Sequence, residues 1–247
     1  MSVTCLHCNG VGFVRQDLPV GHPDFGKLIP CPDAEAHGIE RRAELYAQSG
    51  LLATEHYPLG ELVYTHKLHQ KTVGTLEEFL AEPQGWLFLW GGYGTVKSIA
   101  LMCAVSTYIE RGKAAYYSLF ADLLDVVKRS FRKPEEGEKD FDEAWSKWRS
   151  YEARFHRLRH IPLLAIDEVD AAKLNPTPWM RQFQDQLFEY RYRVAFTGGG
   201  PVTIFASNNS PRQLPGWFSS RVYDKRFTVF KSGGPDVRKQ MEWFHEK

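Results

Sequence analysis

No stretch of this 247-residue chain is apolar for long: the longest such runs, 86–90 and 99–105, fall far short of the roughly 20 residues of a spanning helix. A membrane-spanning protein is excluded. The N-terminus also lacks an apolar signal core behind basic residues, so the reading places the protein in the cytoplasm. Charge of one sign is missing too, since 31 Lys and Arg against 30 Asp and Glu leave +1. Bulk attraction to a polyanion is therefore absent, and any nucleic-acid contact needs locally concentrated basic groups. Cysteine is scarce. Only four are present, three of them within the first 31 residues, which argues against a disulfide framework and for reduced thiols or metal ligands. There is no internal repeat and no low-complexity tract. What is there, 43% apolar and 25% charged residues, is ordinary for a globular chain with one large domain, or one domain and a small appendage.

Residues 1–38 are rich in Gly, Pro, Cys and His and show little helical period, so they read as a small loop-dominated unit. A helical linker follows over 39–82, with a helix from Ile39 to about Leu52 and a second amphipathic stretch in which Thr75 is the expected N-cap. The domain core is expected over 83–247. There, short apolar runs alternate with longer helical patterns: strands over 86–90, 114–119, 162–166, 202–207 and 226–230, and helices over 97–111, 120–132, 141–159, 177–193 and 235–246. This alternation predicts an α/β fold, a parallel sheet covered on both faces.

Directly after the first core strand stands Gly91-Gly92-Tyr93-Gly94-Thr95-Val96-Lys97-Ser98, and then an apolar helix. The segment is nearly the G-x-x-x-x-G-K-[ST] phosphate loop in its strand–loop–helix setting. Glycines let successive N–H groups turn toward phosphate oxygens, and the helix N-terminus adds partial positive charge. Lys97 reaches the β- and γ-phosphates in this reading, and Ser98 holds magnesium. Val96 breaks the pattern where the last glycine belongs, and its branched side chain points to weakened binding or impaired hydrolysis. The alternative is a strand-to-helix turn that binds nothing.

A phosphate loop needs a second strand that delivers carboxylates. Residues 163–168, Leu-Leu-Ala-Ile-Asp-Glu, supply it: Asp167 is expected to hold magnesium and Glu168 to polarise the attacking water. The next strand ends in Ser207-Asn208-Asn209, where an amide can orient that water or simply start a turn.

Together GWLFLWGGYGTVKSIAL, LLAIDEVD, NPTPWMRQFQDQLFEYRY, FASNNSP and LPGWFSSRVYDKRF resemble the DnaC/DnaI and IstB branch of the AAA+ ATPases, over about residues 50–247. The resemblance implies a three-layer α/β/α P-loop AAA+ core with a five-stranded parallel sheet of order 5-1-4-3-2, a minimal C-terminal lid, and ATP bound with magnesium between subunits of a homo-oligomeric ring or spiral. It implies Asn208 as the sensor amide, Arg221 as the arginine finger and Arg238 as the C-terminal sensor arginine. It further implies an ATPase that loads a replicative helicase onto single- or double-stranded DNA, or an IstB/TnsC-like ATPase acting with a transposase. A nucleotide-gated binding module with little hydrolysis is the alternative that Val96 motivates.

Cys5-Leu-His-Cys8 has the spacing of a zinc knuckle, and Cys31 returns 23 residues later. His37 is the first choice for a fourth zinc ligand and Asp33 the second, with His7 and His22 left open. Cys103, within an apolar helix face, reads as a core residue. Two basic clusters, Lys128/Arg129/Arg132/Lys133 beside Phe131 and Arg154/Arg157/Arg159/His160, are candidate DNA contacts or ordinary solvated faces. Trp145, Trp148, Trp179 and Trp217 are expected in the core or at subunit interfaces.

Overall fold

The computed structural model describes residues 5–8, 13–59, 69–131, 133–137, 140–169, 184–234 and 236. Near the N-terminus β1 (Phe13–Arg15) and β2 (Leu28–Pro30) form an antiparallel hairpin, and α1 (Ala34–Ala47) follows at once. Next come α2 (Gln70–Ala81), β3 (Trp86–Trp90), α3 (Lys97–Glu110), β4 (Ala115–Leu119), α4 (Phe120–Phe131), α5 (Phe141–His160) and β5 (Leu163–Asp167). A π-helical turn (Gln184–Glu189) runs into α6 (Tyr190–Val194), followed by β6 (Val202–Ser207), α7 (Gly216–Val222) and β7 (Thr228–Lys231).

The five core strands lie in the order β4-β5-β6-β3-β7, and every neighbouring pair is parallel. Counted from the first core strand, this is the expected order 5-1-4-3-2 read from the other edge. Alternation along each strand divides the interior into two layers. Leu87 and Leu89 face the side carrying α2 and α3, where most packing residues are small or aliphatic, among them Ala100, Cys103 and Ala104. Trp86 and Phe88 face the other side, which is aromatic: Phe120, Phe155, Phe188, Phe205 and Phe218 gather there. The Trp86 ring lies 5.0 Å from Phe205 and 5.1 Å from Phe227, edge-on to the first and stacked on the second, arrangements that suit aromatic quadrupoles.

Several expected boundaries shift. The first helix starts at Ala34 rather than Ile39 and ends at Ala47, because Gly38 is accommodated inside it. Thr75 is not an N-cap: α2 begins at Gln70, and the Thr75 hydroxyl donates back to Lys71 O at 2.8 Å, the i−4 bond of a mid-helix threonine. The last strand is displaced by one or two residues, to 228–231. The helix expected over 177–193 is described only from 184, as the π turn and α6. The helix expected over 235–246, together with Arg238, and Arg132 and Trp179 lie outside the described residues. Among the described residues no helix is long and apolar enough to cross a membrane.

One charged side chain is built into this interior. Arg191, on α6, is fully buried, and its guanidinium donates to Thr203 Oγ1 at 2.8 Å, Leu158 O at 2.9 Å, Arg159 O at 3.2 Å, Ile161 O at 3.0 Å and Val202 O at 2.5 Å. Three of those acceptors close the C-terminal end of α5, whose carbonyls have no intrahelical donors and carry partial negative charge. Burial pulls the Arg191 pKa down to about 9, so the group is still protonated at neutral pH.

Candidate nucleotide site and cysteine cluster

Parallel strands place the loops after β3, β5 and β6 side by side at one end of the sheet, the usual position for a ligand crevice. Here Tyr93, Gly94, Thr95, Val96, Lys97 and Ser98 line a cleft of about 180 Å³ together with Asp167, Glu168, Ser207 and Asn208. Gly91 and Gly92 sit behind it. Gly91 N–H donates to Ser207 O at 3.1 Å, joining the ends of β3 and β6. Gly91 itself has φ 148°, and a β-carbon there would stand 2.1 Å from Ser232 O, so no other residue fits.

The loop is closed on its own lysine. Lys97 Nζ, buried, donates to Gly91 O at 2.9 Å, Gly92 O at 2.6 Å and Thr95 Oγ1 at 3.2 Å. An entering phosphate has to take the ammonium from these acceptors.

Val96 takes the left-handed conformation, φ 57° and ψ 13°, at the N-cap of α3 with no side-chain cap bond. The template's glycine would adopt it freely; a β-branched residue does so under strain. Glu168 is also left-handed, at φ 53°, and the third such non-glycine residue among those described is Asp140, at the start of α5. Two of the three thus line one cleft, and strained backbone of this kind concentrates at functional sites.

The acidic side is held rigidly. Asp167 is buried; its Oδ1 accepts the Glu168 N–H at 2.7 Å and its Oδ2 accepts the Tyr117 hydroxyl at 2.9 Å. Burial first, and then the Asp167 charge, push the Tyr117 phenol far above its ordinary pKa, so it remains a donor. Ser207 Oγ donates to Val169 O at 2.5 Å and accepts Asn209 N–H at 2.9 Å, which sets exposed Asn208 beside Glu168. A buried carboxylate and the Ser98 hydroxyl in one crevice are the oxygen donors a magnesium ion takes.

Arg221 is not brought into the cleft of its own chain. It pairs with Glu189, donates from Nη1 to Trp217 O at 2.7 Å, and lies 5.6 Å over the Tyr192 ring. Two basic residues of α5 are likewise engaged: Arg154 with the Tyr116 hydroxyl, and Arg159 over the Tyr190 ring at 4.5 Å. Trp217 packs on the aromatic layer, as expected, whereas the rings of Trp145 and Trp148 lie tilted against each other at 5.2 Å outside both core layers, with Lys133 over Trp145 at 5.0 Å.

Two functional features had no local signal. Tyr117 is 50 positions from Asp167. Ser232, buried, donates its hydroxyl to Thr95 O at 2.8 Å, shares another hydrogen bond with Thr72 Oγ1 at 2.8 Å, and donates its N–H to Trp90 O at 2.7 Å. It thereby braces the phosphate loop from α2 and β7. Only the register and the sheet order bring these groups together.

At the other end of the chain, Cys5, Cys8, Cys31 and His37 offer ligand atoms that all lie within 4.8 Å of one another. Cys5 and Cys31 sulfurs are 3.7 Å apart, and Cys8 Sγ is 3.3 Å from His37 Nε2. Tetrahedral zinc with sulfur ligands at about 2.3 Å holds them about 3.8 Å apart, so the donor set fits zinc. His7 N–H and Asp33 N–H each donate to a cysteine sulfur two residues earlier, at 3.4 Å, the turn that stabilises thiolates. Asp33, the second-choice ligand, instead accepts from His7 Nδ1 at 2.9 Å and from Cys5 at 3.3 Å. Its pKa is lowered by the His7 hydrogen bond and then by that of Cys5. His22 lies apart, accepting Asp24 N–H at 3.1 Å. Cys103 is buried in the core as expected, and burial pushes its thiol up to about 12.

No known family model matches the sequence, and no curated protein matches it. Solved structures do match by fold. The chain is similar to a replication initiator DnaA bound to AMPPCP and single-stranded DNA (15% identity, TM-score 0.56, 77% of this chain and 56% of that one). It is similar also to domain III of the Thermotoga maritima replication initiation protein DnaA (17%, 0.55, 81% and 78%) and to DnaI (17%, 0.50, 76% and 95%). It spans little more than half the length of a DNA replication initiation factor and of the AMPPCP-bound DnaA, 53% and 56%. The likeness is one of fold: the parallel α/β sheet with its loop between β3 and α3 is shared with the DnaA and DnaI structures.

Proposed function

We propose that this protein is an ATP- and magnesium-dependent AAA+ ATPase of the helicase-loader type that oligomerises with DNA and delivers a replicative helicase. The observation that carries the reading is the convergence in one cleft of Lys97 and Ser98 from the start of α3, Asp167 and Glu168 from the end of β5, and Asn208 from the end of β6. In this reading the amides of residues 91–98 wrap the triphosphate and Lys97 moves from the Gly91 and Gly92 carbonyls onto it. Ser98 and Asp167 would hold magnesium, which when bound neutralises charge on the phosphates. Glu168 would take the proton of the attacking water and Asn208 would orient that water. Arg221 would leave Glu189 to reach the phosphates bound by a neighbouring copy, and Arg238 would add a second cation. Binding of DNA is supported by the likeness to the DnaA structure that holds AMPPCP and single-stranded DNA; the helicase partner rests on the sequence resemblance. The Cys5, Cys8, Cys31 and His37 group would be a structural zinc site that orders residues 5–37 for partner contact.

A second reading, a nucleotide-gated module without turnover, is favoured by one observation: strained Val96 next to a lysine already bound to its own loop. Calorimetry with ATP and magnesium, and phosphate release with and without single-stranded DNA, separate the two. The ATPase reading expects binding and release, and expects Glu168→Gln to keep binding while lowering release by about 10²–10⁴-fold. Binding without release in every condition favours the module. No heat with any adenine or guanine nucleotide at millimolar concentration overturns both.

A further inference from the structure

We propose that Tyr117 is a positioning residue for the Asp167 carboxylate, and that the turn following α1 sets where Tyr117 stands. The inference rests on the nucleotide-site reading above and deepens it by naming what regulates that site.

Tyr117 lies on β4, an edge strand whose one partner among the described residues is β5. Leu119 pairs with Asp167 and Tyr117 with Ala165, so the phenol reaches two residues along the sheet to donate to Asp167 Oδ2. The other carboxylate oxygen is taken by the Glu168 N–H. With one donor on each oxygen, the orientation of Asp167 is fixed by two bonds, and only the one from Tyr117 comes from another element. A group that holds a metal-binding carboxylate in this way commonly changes metal affinity 10–100-fold when it is removed.

What fixes Tyr117 is a contact on the open edge of its strand. Its backbone N–H donates to Ser49 O at 2.7 Å. Ser49 is itself fully buried, and its hydroxyl donates to Tyr46 O at 2.7 Å and accepts Leu51 N–H at 3.1 Å. Gly50 lies so close that a β-carbon on it would stand 2.2 Å from Tyr117 O. The turn comes two residues after the end of α1, which carries His37 of the cysteine cluster in its first turns and is tied to α3 by the Tyr46 hydroxyl on Glu110 at 2.9 Å. A displacement of α1 by a partner on the N-terminal unit therefore moves the strand that aims Asp167.

The test measures binding of a non-hydrolysable ATP analogue as a function of magnesium concentration. Tyr117→Phe removes one hydroxyl from the far side of Asp167, so analogue binding without metal is expected to stay unchanged. The magnesium concentration for half-saturation is expected to rise about tenfold. Gly50→Ala, which keeps the hydroxyl but forces the turn off the strand and so displaces Tyr117, is expected to shift it in the same direction, and serves if the first variant folds poorly. Half-saturation unchanged in Tyr117→Phe overturns the inference while the nucleotide site stands. A loss of analogue binding equal with and without magnesium also overturns it, because the hydroxyl would then be supporting the loop rather than the carboxylate. If the unaltered chain binds no analogue at all, the nucleotide-site reading has failed, and this inference falls with it.

Discussion

Replacing Val96 by glycine and, separately, by alanine should order the two variants against ordinary propensity, with glycine the more stable. Both substitutions delete the two γ-methyl groups of a side chain that is 4% exposed in the structure, at about 0.8 kcal/mol of burial for each. That loss cancels between them. What differs is the backbone at φ 57°: alanine keeps a β-carbon in the left-handed region at a cost of about 1–2 kcal/mol, and glycine does not. Alanine recovers about 0.4–1 kcal/mol by restricting the unfolded chain, but as an N-cap it is worse than glycine. The balance favours glycine by about 1 kcal/mol, or about 2–4 °C in melting temperature for a chain of this size. Urea unfolding of the two variants side by side measures it. An alanine variant as stable as the glycine variant, or more so, would refute the strain argument. In the same pair of proteins only glycine frees the loop amides to turn, so ATP affinity should rise for Val96→Gly and not for Val96→Ala.

Arg191→Met should destabilise severely, because it strands the carbonyls of Leu158, Arg159, Ile161 and Val202 in the interior at about 1–3 kcal/mol for each unsatisfied group. A loss of at least about 4 kcal/mol in denaturant unfolding is expected, with Arg191→Lys intermediate; a loss under about 1 kcal/mol would contradict the clamp. Cys31→Ser should reduce bound zinc, measured by mass spectrometry on the folded protein, from one ion per chain to none, and should open residues 13–30 to limited proteolysis. Zinc content unchanged in that variant would place the metal elsewhere.

Much of this fold was legible because its central strands are mainly apolar. The run at 86–90 carries no polar residue and that at 202–207 only Thr203 before its final serine; they end in glycine or serine–asparagine turns and coincide with β3 and β6. The phosphate loop was legible for a different reason: a template that needs glycine at position 96 exposes valine as the exception, and the structure places that valine at positive φ. The starts of α3, α4 and α5 were legible at 97, 120 and 141, and those of α1 and α2 were not. His37 and Gly38 look like breakers, yet α1 runs through them, and a threonine that looks like a cap turned its hydroxyl back along α2. Least legible were Tyr117 and Ser232, whose roles arise from strand register and from the return of the chain along β7. The sequence around either one has no feature that distinguishes it from a core residue.

The Ser49–Gly50 turn has a consequence for how the sheet meets other molecules. An open edge strand presents free main-chain donors and acceptors on which a foreign strand can lengthen the sheet, and β4 is such an edge. With the Tyr117 amide already spent on Ser49 and the chain pressed onto Tyr117 O, an intruding strand would first have to lift that turn away. The close approach of a residue without a side chain thus guards this one edge of the sheet against strand addition.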